Sequence, residues 1–414
     1  MKNSFRLLLL CPGESLSIFT VKESIFMKAE IPVPAARILF ETSEEFSLQN
    51  RLWQGCPTLE CTPGGSLYGG WYSGGTREPS LHNYNILYRS PDGGFTFPEK
   101  PVLILGSNPA ADKVVIDIQL WCDPSGKLWV FWVERSCLLP KNAPGHLHCF
   151  ALRCENPDAE TKDLIWSDVQ FIGEGFLRCK PTVLSDGRWI LPAYDWKSDR
   201  YAWIESADQG RTFTRKQGPV KVDSIFDETM FYEYLPENGR CLKLLARTHQ
   251  GYIAQSLSAD GGATWTPCSS FLPAPGSRFF IRRLRSGRLL LIYNDHPSNR
   301  TNLKALLSED DGETWKGGLL LDDSGNISYP DAAELPDGSI TVLYDHGRAT
   351  FREILSARFT EQEILQGNLE EEAFSTSYLR HMISKAPVPG DRVSYESYKQ
   401  QEAQWVKNLI EIWD

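Results

Sequence analysis

Ser90-Pro91-Asp92-Gly93-Gly94-Phe95-Thr96-Phe97 is an eight-residue pattern that returns three more times along this chain. It recurs as Ser206-Ala207-Asp208-Gln209-Gly210-Arg211-Thr212-Phe213, as Ser258-Ala259-Asp260-Gly261-Gly262-Ala263-Thr264-Trp265, and as Ser308-Glu309-Asp310-Asp311-Gly312-Glu313-Thr314-Trp315. The starts are 116, 52 and 50 residues apart. The first interval is two periods, which predicts a degenerate copy near Ala151–Asp158, and another is expected near Leu355–Thr360. Six units result. Within each box the Asp accepts hydrogen bonds from turn N–H groups, Ser and Thr satisfy others, and Gly supplies a positive φ. The box is therefore read as a structural staple, not as catalytic machinery.

The units share a rhythm. A β-rich run precedes each box, as in Asn85–Tyr88 and Lys304–Leu307. A tight turn follows further on, as at Ser125-Gly126, Asp186-Gly187, Ser286-Gly287 and Asp337-Gly338. Short strands between such turns, about four per period of about 50 residues, indicate the blades of a propeller. The expectation is an all-β, six-bladed β-propeller over residues 36–375, with four-stranded blades. Residues 1–35 lead in, and residues 376–414 form a short helical C-terminal tail. In that tail Met382-Ile383 and Trp405, Leu409 and Ile410 have helical spacing.

Composition narrows the function. The 414 residues carry a formal charge of −10, which argues against a nucleic-acid partner. Aromatic residues make up 12% of the chain, 13 of them Trp, which suits pleated sheets and stacking on sugar rings. An anionic glycan would then require a local arginine cluster. The ten cysteines include no CxxC pair, so they are read as mostly buried thiols rather than a zinc site. No cofactor and no metal site is expected; His146 and His148 form a close pair without a framing motif. Leu7–Cys11 is too short for a leader's apolar core, and Met27 is an alternative start. That points to a cytoplasmic protein, with secretion as the alternative. No apolar run is long enough to span a membrane.

Polar residues interrupt the apolar strands where inner strands should meet a central channel. Asp117 stands in Val115-Ile116-Asp117-Ile118, and Lys180 in Arg178-Cys179-Lys180-Pro181. A charge in such a run must be paired or face a cavity. Asp195, Asn294, Asp295, His296, His346 and Arg348 lie at or just beyond strand ends.

The boxes at this spacing resemble those of the sialidase-like propellers, over about residues 40–372. Two further runs, Gly276–Tyr293 and Ile327–Asp345, resemble a bacterial exo-α-sialidase or BNR-repeat subgroup. The resemblance implies an exo-acting glycosidase that removes a terminal, acidic sugar. It also implies a site of three Arg, a Tyr nucleophile with a Glu partner, and an Asp acid. The chemistry explains that set. The reacting carbon of a sialic acid bears a carboxylate, which repels a carboxylate nucleophile but not a neutral Tyr. Arg forks bind the substrate carboxylate.

By that resemblance Tyr329 is the nucleophile and Glu228 its base, with Glu233 competing. Asp345 orients an Arg, Arg247 is the second Arg, and Arg278 the third, with Arg282 as its alternative. Gly55 stands where the first Arg is expected, and Arg51 or Arg348 are its substitutes. The loop Trp71–Tyr84 holds no Asp, so Glu78 or His82 would be the proton donor. Gln54 and Asn83 complete the candidate substrate contacts with Lys180 and Asp117. Two rival readings keep the fold. One is a lyase or rhamnosidase-like enzyme on uronic-acid glycans, the lyase using Lys180, His82 and Tyr329. The other is a non-catalytic glycan-binding propeller.

Overall fold

A computed structural model describes residues 31–139, 143–224, 226–234, 241–367, 380–387 and 400. The unit that begins at Val33 carries every element below. The apolar run at Leu7–Cys11, Met27, and Trp405, Leu409 and Ile410 of the tail lie outside the described residues. No described helix is long and apolar enough to cross a membrane.

Among the described residues six antiparallel sheets of four or five strands follow one another, and a two-stranded pair, Phe176–Leu177 with Ala193–Tyr194, belongs to the third blade. The innermost strands of the six sheets are Gln54–Cys61, Lys113–Cys122, Thr182–Val183, Met230–Tyr234, Phe280–Arg283 and Ile327–Glu334. In each sheet the next strands lie progressively outward, so blade five runs Phe280–Arg283, Leu289–Asn294, Leu303–Ser308, Lys316–Asp322. Blade one gains a fifth, outermost strand, Arg37–Leu39, from the start of the unit. Apolar side chains fill the space between blades. Leu290 and Ile292 of blade five, for example, share a buried cluster with Val342 and Leu355 of blade six.

The boxes do the expected work. Each Ser ends the third strand of its blade, and each box closes on itself. The Thr96 amide and hydroxyl donate to Asp92 at 2.8 and 2.6 Å, and the Gly94 amide donates to Ser90 Oγ at 2.8 Å. Gly94 takes φ +98°. The degenerate copies occur at the same place. In blade two the third strand ends at Cys154, and Asn156 Oδ1 takes the Asp role by accepting the Ile165 amide at 2.7 Å. In blade six the turn is replaced by a short helix, Glu361–Gln366, capped by Thr360 and Glu363.

One stretch of the tail, Met382-Ile383 with its neighbours, differs from its helical reading. Residues Arg380–Lys385 form a strand that pairs with Glu353–Ala357 and completes blade six. An exposed sheet edge offers paired backbone bonds that a short solvent-facing helix cannot match, so tertiary pairing overrides the local spacing.

Among the described residues no strand is shared between blades six and one, and side chains join the two across the ring. Thr58 Oγ1 donates to Asp331 at 2.6 Å. Gln54 Nε2 donates to the Arg352 and Ser384 carbonyls, and Ser384 Oγ returns a bond to Gln54 Oε1. Gln54 is thus a seam residue rather than a substrate contact.

Candidate active site

Four residues in or just before inner strands share a local irregularity. Cys56, Asp117, Glu228 and Tyr329 each adopt a positive φ, between 38° and 58°. In blades one, two and six the strand register also slips by one residue there, as a β-bulge does. Non-glycine residues in that region are strained, and bulges re-aim side chains. The result is that a thiol, two carboxyls and a phenol converge on one end of the channel.

Tyr329 is the hub. It is 2% exposed. Its hydroxyl donates a short hydrogen bond to Glu228 Oε1. Arg247 Nη1 donates to the same hydroxyl at 3.0 Å and to Glu228 Oε2 at 2.9 Å. Arg178 Nη1 reaches the hydroxyl at 3.2 Å and Glu228 Oε1 at 3.3 Å. Four guanidiniums surround the ring, with Cζ at 3.9 Å for Arg348, 5.0 Å for Arg278, 5.7 Å for Arg300 and 5.8 Å for Arg178.

Around this hub the charges are largely paired. Arg348 Nε donates to Asp345 at 2.8 Å, and Asp345 also accepts from Ser328 Oγ at 2.6 Å and the Cys56 amide at 2.7 Å. Glu78 takes Arg178 Nη2 at 2.7 Å and Arg348 Nη1 at 3.4 Å. Arg178 Nε lies 2.7 Å from Asp117 Oδ2, although the contact is too poorly aligned to be a hydrogen bond. Arg300 differs: it donates only to neutral oxygens, Ser328 Oγ and the Gly276 carbonyl. A half-buried guanidinium without a carboxylate partner suits an anionic ligand.

These neighbours set the protonation states. Burial pushes Glu228 up, but Arg247 and Arg178 outweigh it and hold the carboxyl at about 2. Burial and Glu228 raise Tyr329, so the phenol is neutral and serves as donor. Burial raises Glu78 too, yet Arg178 and Arg348 win and its value is lowered. Asp117 goes the other way: burial exceeds the pull of Arg178 and leaves it at about 6.

The Cys56 thiol and the Glu78 and Asp117 carboxyls lie within 4.8 Å of one another. Arg178 already bridges the two acids, so the trio is occupied by a guanidinium rather than shaped for a metal ion. The nine described cysteines are all free thiols.

Of the residues singled out from the sequence, the structure brings Tyr329, Glu228, Arg247, Asp345, Arg348, Glu78 and Asp117 together. Others lie elsewhere. Arg278 sits behind Tyr329 with its guanidinium bonded to four backbone carbonyls, those of Arg178, Pro57, Tyr329 and Pro330, so it holds backbone and not substrate. Arg282 forks onto Glu60, and Lys180 lies between Glu60 and Asp331, which together plug the channel below the site. Glu233, at the far mouth, accepts the Ser185 amide. Arg51 packs on Tyr88 within blade one. Asn83 braces the Glu78 loop by bonding the Ser73, Gly74 and Arg77 carbonyls. His82 lies in the same loop, its amide on Ser80 Oγ.

Two site residues were missed. Arg178 precedes Lys180 by two residues, in the stretch between Phe176–Leu177 and Thr182–Val183. Arg300 belongs to a pattern visible only once the blades are aligned. Arg247, Arg300 and Arg348 each follow the second strand of blades four, five and six.

A bulge-mounted tyrosine bonded to a glutamate amid arginines, on a six-bladed propeller, defines the class: a propeller whose inner-strand end gathers a phenol, carboxyls and guanidiniums. Comparison with known proteins narrows it. A family described as "BNR repeat-like domain" matches residues 159–342. The chain is 24% identical over 370 residues to a sialidase of Micromonospora viridifaciens, covering 77% of this chain and 54% of that protein. It is 26% identical over 203 residues to an anhydrosialidase of Macrobdella decora, covering 42% of this chain and 25% of that protein. The chain therefore spans about half or less of the length of these relatives. Among solved structures, the intramolecular trans-sialidase from Ruminococcus gnavus shares the fold with a TM-score of 0.58 at 17% identity, covering 80% of this chain and 98% of that one. The chain is a six-bladed propeller similar to the sialidases and, over residues 159–342, to the BNR repeat-like domain.

Proposed function

We propose that the protein is an exo-acting glycoside hydrolase that releases a terminal acidic sugar from glycans, with Tyr329 as nucleophile. The observation that carries this reading is the Tyr329 hydroxyl bonded to Glu228 amid Arg247, Arg300 and Arg348. The three arginines bind the substrate carboxylate, and Arg300 supplies the charge no protein acid neutralises. As that carboxylate competes for Arg247, Glu228 regains basicity and takes the Tyr329 proton. The phenolate oxygen attacks the anomeric carbon, and Glu78 protonates the departing oxygen. The uronate-lyase alternative loses its Lys180, which is engaged in the Lys180–Glu60–Asp331 plug.

The test is to incubate the protein with sialylated, uronic-acid-capped and rhamnose-capped glycans and identify the released sugar. Release of an acidic sugar, abolished by Arg247→Ala, supports the proposal. Retained binding with no turnover favours a glycan-binding propeller.

A further inference from the structure

Asp117 is an expensive residue: a buried carboxyl whose one ion-pair partner, Arg178, is shared with other acids. It holds φ +57° on the bulge of blade two and is 1% exposed. Neither carboxyl oxygen has an aligned hydrogen bond. A buried carboxylate in that condition destabilises a fold, and asparagine or glycine tolerates the left-handed backbone better. Its one charged contact, Arg178, is shared with Glu78, whose carboxyl lies within 4.8 Å.

We propose that Asp117 is a positioning residue that stores the proton delivered by Glu78, with Arg178 as the bridge between the two carboxyls. This rests on the hydrolase reading above. Two carboxyls around one guanidinium share a proton unequally. Glu78 has two guanidiniums, Arg178 and Arg348, and stays ionised in the free protein. Asp117 has one, and the charged groups facing it are Arg178 from blade three, Glu78 from the loop of blade one and Glu228 from blade four. The remaining titratable neighbours are neutral: Cys56 and Tyr72 of blade one, Cys149 of blade two and Tyr194 of blade three. The proton therefore resides on Asp117 below a pH of about 6.

The cycle balances. When the substrate carboxylate draws the guanidiniums, Glu78 loses their stabilisation and takes the proton from Asp117, which stays ionised against Arg178 Nε. Glu78 passes that proton to the leaving oxygen as the glycosidic bond breaks with its electron pair on the oxygen, while the sugar–Tyr329 bond forms. Water then attacks the anomeric carbon, Tyr329 leaves and recovers its proton from Glu228, and the water proton returns through Glu78 to Asp117.

Infrared titration of the carboxyl C=O band reads the storage directly, on the whole protein and without substrate. The expected result is a band lost with a midpoint near pH 6, to which Asp117 and Asp227, also raised to about 6 by burial, both contribute. Asp117→Asn removes the Asp117 part and leaves that of Asp227, and Glu78→Gln moves the Asp117 part to a lower midpoint, because Glu78's charge raises Asp117. No such band in the parent protein, or a band whose amplitude is unchanged by Asp117→Asn, overturns the proposal. The kinetic arm compares a sugar leaving group with a nitrophenyl one. Asp117→Asn is expected to lower kcat on the former about 10- to 100-fold more than on the latter. Equal losses on both overturn the delivery role. A parent protein that turns over neither substrate yet shows the Asp117 band refutes the hydrolase reading instead.

Discussion

The stem of Arg348 lies directly over Gly55: a Cβ on that glycine would sit 2.6 Å from both Cγ and Cδ of the arginine. The resemblance places an Arg at position 55, and here the guanidinium arrives from blade six instead. Glycine is required because nothing larger leaves room for the stem. Asp345 ties the arrangement together by holding Arg348 Nε and the Cys56 amide at once. Gly55→Ala is therefore expected to displace Arg348 and to raise KM about 10- to 100-fold, the worth of one charge-assisted contact of about 1.5–3 kcal/mol. Arg348→Ala should match it, and the double variant should be no worse than either. Steady-state kinetics on an acidic-sugar glycan checks this; additive losses contradict it.

Tyr329 and Glu228 should separate in stability although both abolish turnover. Tyr329→Phe removes one hydroxyl and leaves Glu228 paired with Arg247 and Arg178, so unfolding should change by about 1 kcal/mol. Glu228→Gln leaves two buried guanidiniums undercompensated and should cost about 3–5 kcal/mol. Urea unfolding measures both. Equal losses would mean that the carboxylate does not organise the arginines.

The plug gives the converse pattern. Lys180→Met strands Asp331 without its cation, since Glu60 keeps Arg282. The expected loss is about 3–5 kcal/mol in unfolding with KM unchanged in the folded fraction. A large rise in KM would move Lys180 back into the substrate site.

The boxes carry a pH signature. The Thr hydroxyl first, then its amide, hold Asp208, Asp260 and Asp310 at about 2. Their value in the unfolded chain is about 3.9. Because the folded values are depressed, the stability they contribute is present above pH 4 and lost as pH falls from about 4 to about 2. The melting temperature should drop over that window. Asp260→Asn should lower it at pH 7, flatten its acid slope and leave KM unchanged.

How much of this was legible in the sequence follows from the range of each interaction. The boxes could be read directly, because Ser90, Asp92, Gly94 and Thr96 satisfy one another within seven residues. Tyr329, Glu228 and Arg247 were found through a resemblance in their surrounding runs. Arg178 and Lys180 stand two residues apart in the stretch between Phe176–Leu177 and Thr182–Val183, and no local pattern tells which of them reaches the site. Arg300 sits in a turn six residues past its strand, and no local pattern marks it. Arg348 over Gly55 spans almost the whole chain and exists only once the ring closes. Met382-Ile383 was read as helical because its edge-strand partner near Leu355 is set by tertiary packing.

The central claim is that Tyr329 attacks the sugar. A terminal acidic sugar with fluorine beside the anomeric carbon and a good leaving group slows breakdown of a covalent intermediate more than its formation. Intact-protein mass spectrometry after a brief incubation, followed by peptide mapping, should show one added sugar on the peptide that contains Tyr329, and none in Tyr329→Phe. An adduct on another residue, or turnover of the natural glycan by Tyr329→Phe at the parent rate, would contradict the account.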